Sequence, residues 1–284
     1  DKKGKDCYYS FRESQGFGGE VATPSENNNN QVTVYYVNFS GFGLLLDGEG
    51  NDVYNAQNLP GSTSPQQPGI GHNFSQGTGW RSNGIGVLVD LKGDDSYIAN
   101  LSAQGIGFWG GKGILYDQEG NDMYFTLQYG QGASAHGGIG ICIDVKGDDN
   151  HIVGRSQGLG SGKGSDLYLN PSVGIFLDEQ GNDEYNFEGD SCGVGMNDGI
   201  GYFLDMSGED NYKGIGTGKG NLVDHNYLGR KLTLGLFYDN KGADIYSETQ
   251  PEIMNHSTYS RPAANAPGAQ LEESGYQLGV FKDK

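Results

Sequence analysis

The pattern Asp-x-x-Gly-x-Asp-x-aromatic occurs eight times in this chain, beginning at Asp1, Asp47, Asp90, Asp117, Asp144, Asp178, Asp205 and Asp239. Tyrosine fills the aromatic place in seven copies (Tyr8, Tyr54, Tyr97, Tyr124, Tyr185, Tyr212, Tyr246), and His151 fills it in the fifth. Such recurrence points to an architecture whose units are too small to bury their own apolar side and do so by stacking on their neighbours. Successive first aspartates are 46, 43, 27, 27, 34, 27 and 34 residues apart. The shortest spacing recurs, so one unit is about 27 residues and the excesses are loop insertions, which cost little chain entropy. Both chain ends fall within a unit. Asp1 to Tyr8 enters halfway through one, and Leu278-Gly279-Val280-Phe281-Lys282-Asp283 matches Leu234-Gly235-Leu236-Phe237-Tyr238-Asp239. A processed terminus and a segment of a longer array both fit that pattern.

A short apolar run precedes each aspartate from the second copy on, as in Gly84-Ile85-Gly86-Val87-Leu88-Val89-Asp90 and Gly199-Ile200-Gly201-Tyr202-Phe203-Leu204-Asp205. Runs of this length, β-branched or aromatic and bounded by Gly and Asp, read as strands. Two before the aspartate stand Leu45, Leu88, Leu115, Cys142, Phe176, Phe203, Phe237 and Phe281, which predicts an interior ladder. Four before it the residue is always glycine (Gly43, Gly86, Gly113, Gly140, Gly174, Gly201, Gly235, Gly279), as expected where another backbone approaches closely. Three before it the residue is also apolar (Leu44, Val87, Ile114, Ile141, Ile175, Tyr202, Leu236, Val280). A strand apolar on both faces is expected to be covered on both, by this chain or by a partner.

The turn that follows offers Asp to hydrogen-bond the backbone, Gly for positive φ, and Asn or Asp, which tolerate that region next best. A Gln-Gly-x-Gly corner often comes next, as in Gln15-Gly16-Phe17-Gly18, Gln76-Gly77-Thr78-Gly79 and Gln104-Gly105-Ile106-Gly107. Gln131 and Gln157 keep that slot and Cys192 replaces it, so a ladder of stacked amides is expected there. Insertions fall at about 19–40, where Val32 to Val37 reads as an extra strand, and at about 55–75, which reads as irregular. A proline-containing excursion at about 247–276 precedes the last partial repeat. The fold expected is therefore all-β: one domain over 1–284, a right-handed parallel β-helix of about nine coils.

Composition limits the partners. The chain has 51 glycines, only 35% hydrophobic residues and a formal charge of −18, and the repeated aspartates supply sixteen of its 36 acids. A narrow stacked core tolerates that scarcity of bulky side chains. The acidity argues against nucleic acid and anionic lipid surfaces, where Lys and Arg must predominate. No stretch approaches the roughly 20 apolar residues of a membrane span. Cys7, Cys142 and Cys192 form neither a disulfide framework nor a paired zinc site, and Cys142 reads as core. A bacterial surface, extracellular or periplasmic location suits an acidic, Gly/Asn/Asp-rich, cysteine-poor repeat.

Stacking places like carboxylates about 4.8 Å apart, so something must offset their repulsion. Backbone N–H groups within each turn would do so. A row of Ca²⁺ ions would also, held by Asp47, Asp52, Asp90, Asp95, Asp117, Asp122, Asp144, Asp149, Asp178, Asp183, Asp205 and Asp210 together with turn carbonyls. In its Gly-Asp turns and aromatic follow-on the pattern resembles the calcium-binding Gly-Gly-x-Gly-x-Asp repeats of RTX proteins. It differs in period and lacks the doubled glycine. The resemblance implies a β-solenoid and bound calcium.

Catalysis has weaker signs. Asp166, Asp190, Asp198 and Asp224 lie outside the octapeptides with no evident His or Arg partner, and His72, His136, His225 and His256 are scattered. The corners Gly160-Ser161-Gly162-Lys163-Gly164 and Gly216-Thr217-Gly218-Lys219-Gly220 lack the Ser or Thr after Lys that a phosphate-binding loop needs. The expected function is a noncatalytic structural or binding module presenting stacked faces to a protein or glycan. The alternative is a polysaccharide lyase or hydrolase on the same scaffold, which would need two acids about 5 to 9 Å apart in a groove.

Overall fold

The computed structural model describes residues 3–10, 13–19, 22–26, 32–36, 41–57, 63–64, 67–68, 72–81, 83–165, 171–214, 220–221, 232–246, 258–261 and 276–283. The expectations placed on Asp166, Lys219, Asp224, His225 and His256 lie outside them, as does most of the excursion at 247–276. Among the described residues every regular element is a strand and none is a helix.

Three parallel sheets run the length of the molecule, and each takes strands in chain order. The tyrosine sheet holds Cys7–Tyr9, Val53–Ala56, Ser96–Ala99, Met123–Gln128, Asn150–Ser156, Glu184–Phe187, Asn211–Gly214 and Ile245–Tyr246. The glycine sheet holds the runs before each aspartate, from Phe42–Leu46 and Ile85–Val89 to Leu232–Asp239 and Tyr276–Asp283. Register is kept across every loop insertion: Tyr54 pairs with Tyr97, Leu88 with Leu115, Asp178 with Asp205 and Phe203 with Phe237. Stacked parallel sheets in this register have the architecture of a parallel β-solenoid, in which equivalent residues of successive units share one axis.

That register builds the core. Leu88, Leu115, Cys142, Phe176, Phe203 and Phe237 are fully buried, as their position two before the aspartate predicts. Facing them, Tyr54, Tyr97 and Tyr124 stack with ring centroids 4.8 to 4.9 Å apart. The two columns meet edge to face, as between Phe176 and Tyr185 at 86°, the arrangement that ring quadrupoles favour. Phe203 and Phe237 stack at 4.8 Å.

The glycines four before each aspartate are required by a close approach. A Cβ on Gly113 would collide with the carbonyl of Ile106, and one on Gly140 with that of Ala133. Those carbonyls immediately precede strands of a third sheet that is not apparent from the sequence, made of two-residue strands: Gly79–Trp80, Gly107–Phe108, Ser134–Ala135, Gly162–Lys163, Gly195–Met196 and Gly220–Asn221. The expected Gly-Ser-Gly-Lys-Gly corner thus includes a strand, at Gly162–Lys163.

Two local expectations are corrected. The corner glutamines make no amide ladder. Gln76, Gln104 and Gln131 sit at φ of +51°, +58° and +49°, which turns each side chain inward onto the tyrosine sheet. There Gln104 Nε2 donates to the carbonyls of Tyr97 and Phe125 in adjacent coils, at 2.8 and 2.9 Å. Backbone carbonyls without another donor need one, and here they outcompete a neighbouring amide. Among the octapeptide glycines Gly93 takes the expected positive φ, at +156°, but Gly50, Gly120, Gly147, Gly181, Gly208 and Gly242 do not. They are needed because a Cβ on Gly120 would meet the carbonyl of Gly93, and one on Gly147 that of Gly120.

The insertions carry antiparallel pairs: Val32–Tyr36, the expected extra strand, pairs with Ala22–Glu26, and Thr63–Ser64 pairs with Gln67–Pro68 inside the segment read as irregular. Thr258–Arg261 adds an antiparallel strand at the edge of the glycine sheet, against Tyr276–Asp283. The outward residues of the glycine sheet, such as Val87, Ile114, Ile141, Ile175 and Tyr202, are half-buried.

Candidate functional site

The octapeptides form a column at the junction of the tyrosine and glycine sheets. Each first aspartate ends a glycine-sheet run, and its aromatic residue opens a tyrosine-sheet strand seven residues later. Asp47, Asp90, Asp117, Asp144, Asp178 and Asp205 are wholly buried, and Asp52, Asp95, Asp122, Asp149, Asp183 and Asp210 are at most 3% exposed. All twelve predicted residues therefore come together in the interior, not on a turn surface.

The second aspartates are linked coil to coil through the backbone. Oδ1 of Asp122 accepts from the Asp95 amide at 2.6 Å, Oδ1 of Asp149 from the Asp122 amide at 2.6 Å, and Oδ1 of Asp183 from the Asp149 amide at 2.7 Å. The first aspartates take their partner from tyrosine. Tyr124 donates to Oδ2 of Asp144 at 2.6 Å, and Tyr54 and Tyr97 donate to Asp90 and Asp117 in the same way. Turn amides complete the set, as the Lys92 amide does on Oδ1 of Asp90 at 3.1 Å. The expected capping of the turn is present, reinforced by hydroxyls whose role the sequence did not disclose. A constant offset of 20 residues between Tyr97 and Asp117, and between Tyr124 and Asp144, was the available signal.

This bonding leaves one oxygen of many carboxyls without a hydrogen-bond partner. Oδ1 is so placed in Asp117, Asp144, Asp178 and Asp205, and Oδ2 in Asp52, Asp95, Asp122, Asp149 and Asp210. The carboxyls themselves lie close together. Carboxylate oxygens of Asp52, Asp90 and Asp95 lie within 4.8 Å of one another, and so do those of Asp95, Asp117 and Asp122, and of Asp149, Asp178 and Asp183. Carboxylate oxygens of Asp144 and Asp149 also lie within 4.8 Å of each other. Two carboxylates at that separation need a proton or a cation between them.

Burial and the neighbouring carboxylates both favour the uncharged form. Burial, opposed only in part by backbone donors, pushes Asp95 and Asp183 up to about 8. Burial, then the charges of Asp144 and its neighbours, takes Asp149 to about 10 and Asp122 to about 11. Asp144 and Asp205, which hold tyrosine hydroxyls and turn amides, rise to about 6. Crowding and burial leave these carboxyls to be offset by protons or by a bound cation. The residues fit a divalent oxygen-seeking ion such as calcium, whose roughly six to eight ligands they supply in part.

His151 breaks the pattern. Its ring stacks between Tyr124 at 4.5 Å and Tyr185 at 5.2 Å, yet its Nε2 lies 3.6 Å from Oδ2 of Asp178, beyond hydrogen-bond reach. Past that point the tyrosine bonding changes direction. Tyr185 donates to both Asp178, at 3.1 Å, and Asp205, at 2.8 Å, whereas Tyr212 and Tyr246 donate to the aspartate of their own octapeptide at 3.0 and 2.8 Å.

Elsewhere the sequence candidates are dispersed. His136 packs edge-on against Phe108, and the Asp198 amide donates to Thr233 Oγ1. Exposed ion pairs such as Lys146 with Glu119, at 3.2 Å, bridge adjacent turns outside the column, where screening keeps their contribution small. No protein-family model, curated protein or solved structure matches this chain.

Proposed function

We propose that the chain is one right-handed parallel β-helix of about nine coils on a 27-residue repeat, acting as a noncatalytic structural or binding module of a bacterial surface or envelope protein. The observation that carries this reading is the location of the octapeptide carboxylates: sealed in the core and in register, they serve the stacking of coils and lie out of a polymeric substrate's reach. What the rod offers outward is repetition. Columns such as Ile114, Ile141 and Ile175 on the glycine sheet form a flat face suited to a protein or glycan partner.

In this reading calcium stabilises the rod, held between coils by sets such as Asp52 with Asp90 and Asp95, and Asp95 with Asp117 and Asp122. The ion supplies the positive charge that the stacked carboxylates otherwise lack. Calorimetry in chelator and in millimolar calcium tests that part: melting is expected to rise with calcium, and an unchanged melting temperature removes the metal from the proposal. Incubation with acidic and neutral polysaccharides tests the rest, since release of new reducing or unsaturated ends would replace the module with an enzyme.

A further inference from the structure

The only octapeptide without a tyrosine is also the only one that adds a metal-binding nitrogen to the column. His151 is fully buried, and neither Nδ1 nor Nε2 has a hydrogen-bond partner. One ligand atom each from His151, Asp144 and Asp149 lies within 4.8 Å of the other two. Oδ1 of Asp144 and Oδ2 of Asp149, the neighbours' free oxygens, are also unpartnered. A buried imidazole without a partner and two carboxyls, each with one unpartnered oxygen, therefore lie together in the interior, where each orphaned polar group is costly. A tyrosine here would have donated to Asp178, as Tyr124 does to Asp144. The imidazole does not reach.

We propose that His151, Asp144 and Asp149 form a site for a divalent transition ion of the zinc class, chemically distinct from the all-oxygen sets along the rest of the column. Imidazole nitrogen with carboxylate oxygen suits zinc and its neighbours, whereas calcium takes oxygen alone. Stacking between Tyr124 and Tyr185 fixes the ring plane, the role that outer partners usually play for ligating histidines. The site is closed to solvent, so the ion enters while the chain folds. It stands on His151 and does not require calcium elsewhere.

The test is to refold the whole chain with cobalt(II) or zinc(II), pass it through gel filtration, and measure bound metal and the visible cobalt spectrum. About one ion per chain is expected, with the spectrum of a nitrogen- and oxygen-ligated cobalt. His151→Tyr restores the residue of the other seven copies and is expected to fold, with bound cobalt falling at least tenfold. Wild-type protein that retains no transition metal overturns the proposal, as does a variant that retains as much as wild type. Should the variant not fold, X-ray absorption at the zinc edge of the wild-type protein decides: ligands at roughly 2.0 Å with the outer-shell scattering of an imidazole ring are expected, and a spectrum without the imidazole signal overturns it. Chelator-dependent melting of the variant reports on calcium separately, so either reading can fail alone.

Discussion

Tyr124 donates its hydroxyl to Oδ2 of Asp144, 2.6 Å away, across the step from one coil to the next. Both residues are wholly buried, so this bond joins two coils at the point where the chain concentrates its negative charge. Removing the hydroxyl alone leaves the stack of rings intact and one carboxylate oxygen without its donor.

Tyr124→Phe is accordingly expected to lower stability by about 1–3 kcal/mol, the cost of leaving a buried acceptor unmet. Tyr124→Ala, which also empties a ring-sized space between Tyr97 and His151, is expected to cost about 3–5 kcal/mol. Urea titration followed by tyrosine fluorescence measures both. Equal losses for the two variants would show that the hydroxyl contributes nothing.

Gly140→Ala is expected to destabilise by about 1–3 kcal/mol or more, because the new methyl meets the Ala133 carbonyl and backbone must shift. Gly154→Ala is the matched control. Its methyl would approach only the end of the Leu127 side chain, at 3.1 Å, which can move aside. The same titration ranks them, and a control as damaging as Gly140→Ala contradicts the close-approach account.

The metal-free protein is expected to lose stability as pH rises. Asp95, Asp183, Asp149 and Asp122 all hold protons more tightly in the fold than an unfolded aspartate near 4 does, so folding takes up protons and stability is greatest below that value. It declines from about pH 4 upward, where unfolded aspartates ionise and these do not, until about 8 for Asp95 and Asp183 and about 10 to 11 for Asp149 and Asp122. Melting in chelator is expected to be at least about 5 °C lower at pH 9 than at pH 5, with calcium reversing most of the fall. Melting that rises over this range would contradict a protonated column.

Cysteine labelling reads the core directly. Cys142 and Cys192 are buried and their thiols are pushed well above the usual range by burial, whereas Cys7 is exposed. A chromogenic disulfide reagent is expected to titrate one thiol in the native protein and three in denaturant. Rapid reaction of all three in the native state would show that the ladder of Leu115, Cys142 and Phe176 is open.

Much of this structure was legible in the amino-acid order because a stacked repeat writes each structural demand many times over. The invariant glycine four before the aspartate, the apolar slot two before it and the tyrosine seven after it each name a column. Period-two alternation assigned each to its face, and the observed register agrees. The aspartates were equally conspicuous as a group. Their surroundings were not, because Asp-x-x-Gly-x-Asp is also good turn chemistry, and a turn on the surface and a turn folded against the core share one sequence.

The repeat alone determined that this chain is built of stacked strands and that its acids lie in line, since identical short units can bury their apolar sides only against each other. Tertiary structure alone decided which oxygens of those acids are satisfied. The two-residue third sheet, the glutamines reaching two carbonyls, the hydroxyl of Tyr124 on Asp144 and the failure of His151 to reach Asp178 all depend on distances between coils. Those distances follow from how backbone planes approach, and no single unit contains them.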